Sequence, residues 1–115
     1  MPIEKRKEPR RHLIFYLKVV HPDSDELIGH LVDITSVGMM IICQNELATG
    51  QEFPLKLVLP AVFESATHLN LIGETVWCHK DVNPDYFAVG IKFKRSSPEA
   101  SLVIRDLVNS FGFQA

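Results

Sequence analysis

The sequence predicts a mainly β domain: a small six-stranded antiparallel β-barrel with a C-terminal amphipathic α-helix. Three observations predict it. Six short segments rich in β-branched and aromatic residues follow one another, separated by clusters of Pro, Asp, Asn, Ser and Gly. No helical period comes between them, which excludes the strand–helix alternation of a doubly wound parallel sheet. The spacing of apolar residues changes to that of a helix face only near the C-terminus.

The first strand is expected from Leu13 to Val20, where Leu13, Phe15, Leu17 and Val19 recur at every second position. His21 to Glu26 clusters Pro, Asp and Ser, residues that fix φ or bond nearby backbone N–H groups, and closes a turn. Leu27 to Ile34 and Met39 to Ile42 read as two further strands on either side of the Asp33–Gly38 segment. Asn45 to Gly50 is a polar connection and Phe53 to Leu59 the fourth strand. Ala61 to Thr67 is compatible with a helical turn or an irregular loop. Leu69 to His79 and Tyr86 to Phe93, joined by the turn-rich Lys80–Asp85, form an antiparallel hairpin with one half-buried face. Ile104, Leu107, Val108 and Phe111 then share one helix face. Ser96 and Ser97 can cap that helix, Pro98 and Glu99 suit its first turn, and Gly112 suits its end.

The 115 residues make one domain, divided into a basic N-terminal arm (residues 1–12) and the barrel with its helix (residues 13–115). No internal repeat or low-complexity tract is present. No stretch approaches the roughly 18 continuous apolar residues of a membrane helix, no apolar signal-peptide run follows Met1, and the two cysteines are far apart. A cytoplasmic protein with reduced thiols is expected. The formal net charge of −2, from 12 Lys+Arg against 14 Asp+Glu, excludes the broad cationic footprint of a general nucleic-acid binder. Yet Lys5, Arg6, Lys7, Arg10 and Arg11 fall together, offset there by Glu8 alone, and make a local anion-seeking arm.

Within that arm, Arg6 and Arg10 form an R-x-x-x-R element in which Pro9 biases Glu8 toward extended backbone. Positions four apart in an extended chain point the same way, about 13 Å apart. Two guanidinium groups so placed can grip one anion from two directions, pair bidentately with phosphate and match the O6/N7 edge of guanine. A solvated basic tail would read the same way. The second element is Asp33-Ile34-Thr35-Ser36-Val37-Gly38. Asp33 and Thr35, two apart, present a carboxylate and a hydroxyl to one face, and Gly38 removes a Cβ that would keep a ligand from the backbone. An ordinary turn with Asp33 bonding its own backbone is the plain alternative.

His12, His21, His30, His68 and His79 lack the spacing of a zinc site, and Cys43 and Cys78 are expected as buried structural thiols, so no metal is expected. Nucleophile elbow, P-loop, dinucleotide fingerprint and H-E-x-x-H are all missing, and an enzyme is not expected. Trp77 and Phe93 are expected to pack in the core.

The R-x-x-x-R arm and the Asp33–Gly38 element in this order, followed by Gly73-Glu74-Thr75-Val76-Trp77 and Val89-Gly90-Ile91-Lys92-Phe93, resemble a PilZ domain over nearly the whole chain. The resemblance implies a small antiparallel barrel with a C-terminal helix that binds the bacterial second messenger cyclic di-GMP. It maps Arg6 and Arg10 onto the arm arginines, Asp33 onto the acidic position of a [D/N]-x-S-x-x-G motif, Thr35 onto its hydroxyl position and Gly38 onto its glycine. Thr35 replaces the usual serine, and Val37 stands where a small residue is frequent. Lys5, Arg11 and Ser36 complete the expected ligand-binding set. Lys5 brings charge without a flat stacking face, which favours one tightly held dinucleotide, or a second one bound weakly and in a salt-sensitive way, over an intercalated pair.

The expected function is a non-enzymatic receptor without a cofactor, whose mobile arm closes over cyclic di-GMP and whose output passes to an effector protein in trans. A nucleic-acid polymer is not an expected partner, and a monomer or weak homodimer is the expected state. Two alternatives use the same features: a small-barrel module for single-stranded nucleic acid, and a ligand-blind adaptor docking by its surface. Salt dependence and preference for the cyclic dinucleotide over GTP and linear RNA separate them.

Overall fold

The structure, a computed structural model, describes residues 17–60, 66–95 and 97–111, with side chains as far as Asn109. Six strands, β1 (Lys18–Val20), β2 (Leu27–Ile34), β3 (Gly38–Cys43), β4 (Glu52–Val58), β5 (His68–Lys80) and β6 (Phe87–Arg95), precede helix α1 (Pro98–Phe111). They close into a barrel in the order β1-β2-β3-β6-β5-β4, every neighbour antiparallel. The expected six-stranded barrel with its terminal helix is the architecture observed. Residues 13–16 of the first expected strand, residues 61–65 of the ambiguous segment, Ser96 and Gly112 lie outside the described residues. So does the whole arm, and with it Lys5, Arg6, Arg10 and Arg11. Among the described residues no helix is long and apolar enough to cross a membrane, and no group of His, Cys, Asp and Glu is placed to hold a metal.

Period-two alternation, changed in phase on β2 by the register shift at Val32, produces the core. Val19, Leu31, Ile34, Ile41, Leu55, Leu57, Leu71, Val89 and Ile91 point inward and are buried, and Ala100, Ile104 and Leu107 of α1 join the same cluster. Full burial of one such side chain is worth about 1.5–3 kcal/mol. The helix begins where its caps are: Ala100 N–H donates to Ser97 Oγ at 3.0 Å, and Pro98 occupies the first turn, where no N–H is missed. The seam is the short β1, whose pairing with β4 ends at Val20–Lys56. Pro54 stands beyond that point on β4, where a missing N–H costs no barrel hydrogen bond.

Strand β5 contains an extra residue. Thr75 pairs with Ile91 and Trp77 with Gly90, so Val76 is a bulge. Simple alternation from Leu69, Leu71, Gly73 and Thr75 would turn Trp77 inward; the bulge reverses the phase and turns it outward. Trp77 is therefore not a core residue, contrary to the expectation from sequence, whereas Phe93 does pack against the core. Cys78 is half-buried and only Cys43 is fully buried, which corrects half of the expectation for the two thiols.

Candidate functional site

The described part of the expected site lies at one end of the barrel, on the turn between β2 and β3. Asp33 is half-buried and Thr35 exposed, while Ile34 between them is buried. The carboxylate and the hydroxyl thus share the outward face, as their spacing predicted. Asp33 Oδ1 accepts the Ile34 N–H at 2.8 Å. Thr35 N–H donates to the Gly38 carbonyl at 2.8 Å and closes the turn. Val37 N–H donates to Thr35 Oγ1 at 3.2 Å, and that hydroxyl reaches the Gly38 carbonyl at 3.4 Å, the long end of the hydrogen-bonding range. Phe93 N–H donates to the Val37 carbonyl at 2.9 Å, pinning the turn to β6. Ser36 is exposed at the tip beside Val37, which is 68% exposed.

Gly38 has a packing reason to be glycine besides the one its motif suggested. A Cβ there would collide with the carbonyl oxygen of Ile91, because β3 and β6 approach closely at the Gly38–Lys92 pair. This requirement comes from strand packing and exists without any ligand.

Strand register assembles an outward row beside Asp33. Asp33 pairs with Met40, Met40 with Gly90 and Gly90 with Trp77, so the row crosses four strands, about 14 Å at the usual strand spacing. The Trp77 indole lies over Gly90, where a Cβ would strike its Nε1. On its own strand it stacks with His79, ring centroids 4.7 Å apart and planes 13° from parallel. An aromatic surface of this kind suits a flat heterocycle.

Lys92 is a residue that the motif reading missed. It is exposed, pairs in register with Gly38, and forms no ion pair among the described residues. Its neighbour Lys94 is held instead by Glu74 at 3.2 Å and Glu52 at 3.9 Å. Alternation in Gly90-Ile91-Lys92-Phe93 puts Lys92 outward, but only the β3–β6 register puts it beside the Thr35–Gly38 turn.

The PilZ domain family model matches residues 4–110. No curated protein sequence matches the chain. Among solved structures, the chain resembles the PilZ domain with c-di-GMP of YcgR from Escherichia coli (TM-score 0.64, 12% identity, covering 84% of this chain and 81% of that one). It also resembles the Bacillus subtilis inhibitor of motility MotI/DgrA (TM-score 0.62, 14% identity, 81% and 47%) and the K. pneumonia MrkH–c-di-GMP complex (TM-score 0.66, 14% identity, 93% and 52%). The chain aligns with about half the length of each of these last two. At such identities the likeness to these structures is one of fold.

Proposed function

Because the chain belongs to the PilZ domain family, we propose that it is a non-enzymatic receptor for cyclic di-GMP that passes the signal to a partner protein. The observation that carries the reading is the shared outward face of Asp33 and Thr35, on a turn fixed to β6, in a chain that also has the R-x-x-x-R arm. Cyclic di-GMP-bound relatives of the same fold support it.

Each residue has a chemical task in this reading. Asp33 accepts from the N1 and N2 donors of a guanine, a pairing that a carboxylate can make with two adjacent N–H groups. Thr35 has a weak 3.4 Å contact to exchange: its hydroxyl can turn from the Gly38 carbonyl to a nearer ligand acceptor while Val37 N–H still holds its oxygen. Arg6 and Arg10 pair bidentately with phosphate or stack on guanine, and Lys5 and Arg11 add charge. Ser36 offers a further hydroxyl at the rim. Closure of the arm over the ligand alters the surface offered to a partner, coupling binding to output.

Titration calorimetry with cyclic di-GMP tests the proposal. Wild-type protein is expected to bind the cyclic dinucleotide in preference to GTP and linear RNA. Arg6→Ala, Arg10→Ala and Asp33→Ala are each expected to weaken it at least tenfold, roughly 1.4 kcal/mol. Absence of heat at saturating ligand, or equal affinity for the Arg6→Ala/Arg10→Ala double variant, refutes it. Preference for linear RNA with a steep salt slope would instead establish the nucleic-acid module.

A further inference from the structure

The end of the barrel opposite the candidate ligand site is acidic and carries an apolar cleft. Antiparallel alternation brings three connections to that end: His21–Glu26 between β1 and β2, Gln44–Gln51 between β3 and β4, and Asp81–Tyr86 between β5 and β6. They contain six carboxylates, Asp23, Asp25, Glu26, Glu46, Asp81 and Asp85, and no lysine or arginine. Among the described residues only Asp25 of the six has an ion-pair partner, Lys56 at 2.6 Å. The other end has the opposite character. The turn at Thr35–Val37 is uncharged, and β6 finishes there with Lys92 and Arg95 beside Lys94, which Glu74 and Glu52 pair.

Between the acidic connections lies a cleft of about 520 Å³ on the outside of β2 and β3, lined chiefly by Leu27, Ile28, His30, Val32, Ile42 and Tyr86. An adjoining hollow of about 290 Å³ at the barrel mouth shares Leu27 and Ile28 with it. The apolar surface extends beyond the cleft: Leu27 is 54% exposed at its rim, and Val82 is 99% exposed in the same β5–β6 turn as Asp81 and Asp85. Projecting apolar side chains outside a cavity can be covered by a protein segment spanning cleft and rim, and not by a small molecule confined to the cleft.

We propose that this cleft docks a cationic amphipathic segment of a partner protein, its apolar side chains seated on Ile28, Val32 and Ile42 and its Lys or Arg side chains facing Glu26, Glu46, Asp81 and Asp85. Charge complementarity selects this occupant. The six carboxylates of the three connections outnumber the nearby cations Lys18, paired in register with His30, and Lys80, paired with Phe87, so an acidic segment is repelled from this end and a cationic one steered toward it. The apolar floor supplies the burial that exposed charges alone do not. The proposal deepens the relay reading and rests on it for its meaning in the cell; the cleft runs from the acidic end along β2 and β3 as far as Val32, the residue before Asp33, so partner and second messenger would occupy neighbouring stretches of one strand pair.

The test uses the full chain and a synthetic amphipathic Leu/Lys peptide, without cyclic di-GMP, followed by amide chemical shifts and fluorescence anisotropy. Expected are saturable shifts confined to residues 26–32, 42–46 and 81–86. Binding should fall at least tenfold in Glu46→Lys/Asp81→Lys/Asp85→Lys and in Leu27→Ser/Ile42→Thr, with both variants checked for unchanged far-UV circular dichroism. Binding should also weaken as salt rises. The proposal is overturned by equal affinity for a Leu/Glu peptide or for a scrambled Leu/Lys peptide, or by shifts that fall on residues 33–38 instead. Sedimentation showing that a second copy of the chain fills the cleft also overturns it. Cyclic di-GMP is titrated separately: failure there refutes the receptor reading and leaves the peptide result standing, and the reverse holds equally.

Discussion

Lys92 carries a test of how far the candidate site extends. An ammonium beside the Gly38 end of the turn attracts a phosphate through water, so its contribution is modest and screened by salt. Lys92→Ala is expected to weaken cyclic di-GMP binding severalfold at low salt and hardly at all at high salt, in paired calorimetric titrations. An undiminished low-salt affinity excludes it from the site. Cys43 behaves differently because it is buried. Desolvation, with a smaller contribution from Cys78, pushes its thiol from 9.0 up to about 11. In the unfolded chain this thiol ionises near its ordinary value, while in the fold it keeps its proton to higher pH. Stability is therefore unaffected below pH 9.0 and declines from there to about pH 11. The loss is of the order of 3 kcal/mol. Urea unfolding across that window should show the decline, and Cys43→Ala should flatten it relative to its own value at neutral pH.

At the scale of elements, two strands and the helix each contain one position on which their placement depends. The Val76 bulge sets the face that Trp77 occupies. Since Trp77 is the sole tryptophan and lies on the outward row with Asp33, cyclic di-GMP should change its fluorescence emission. Emission unaltered at saturation would separate the indole from the site. Gly38 sets how closely β3 approaches β6. Gly38→Ala is expected to lower apparent stability in the absence of ligand by about 1–3 kcal/mol, the usual cost of overpacking. In α1, Leu107→Ala should cost about 2–5 kcal/mol and Ser97→Ala about 0.5–2 kcal/mol, measured by chemical denaturation. The core positions of β3 and α1 were legible in the sequence because each keeps one period from end to end, whereas β2 changes phase at Val32, so that Leu31 and Ile34 are both buried. The Trp77 position was not legible, because a bulge leaves the composition unchanged and alters only which partner residue is opposite.

For the whole molecule, ligand binding and folding are linked. At a free ligand concentration one hundred times Kd, a ligand that binds only the folded state adds about 2.7 kcal/mol. For a domain of this size that corresponds to a rise in Tm on the order of 10 °C. The rise should appear with cyclic di-GMP and vanish in Arg6→Ala/Arg10→Ala, whose Tm without ligand should remain close to wild type. A variant that loses both the shift and its basal Tm would show that the arginines support the fold.

By itself the sequence determined the barrel class, the succession of strands and helix, the capped start of α1, and the common face of Asp33 and Thr35. All of these follow from local periods, turn chemistry or two-residue spacing, which a linear chain displays. Tertiary structure alone decided which distant residues became neighbours. Lys92 reached Gly38 through the β3–β6 register, and Trp77 turned outward through one unpaired residue. The carboxylates of three turns, spread from Asp23 to Asp85, converged on one end because alternating strand direction sends every second connection there. A net charge near zero concealed that separation, since charge adds along the chain without regard to position, while the field it produces depends on where the closed barrel places each group.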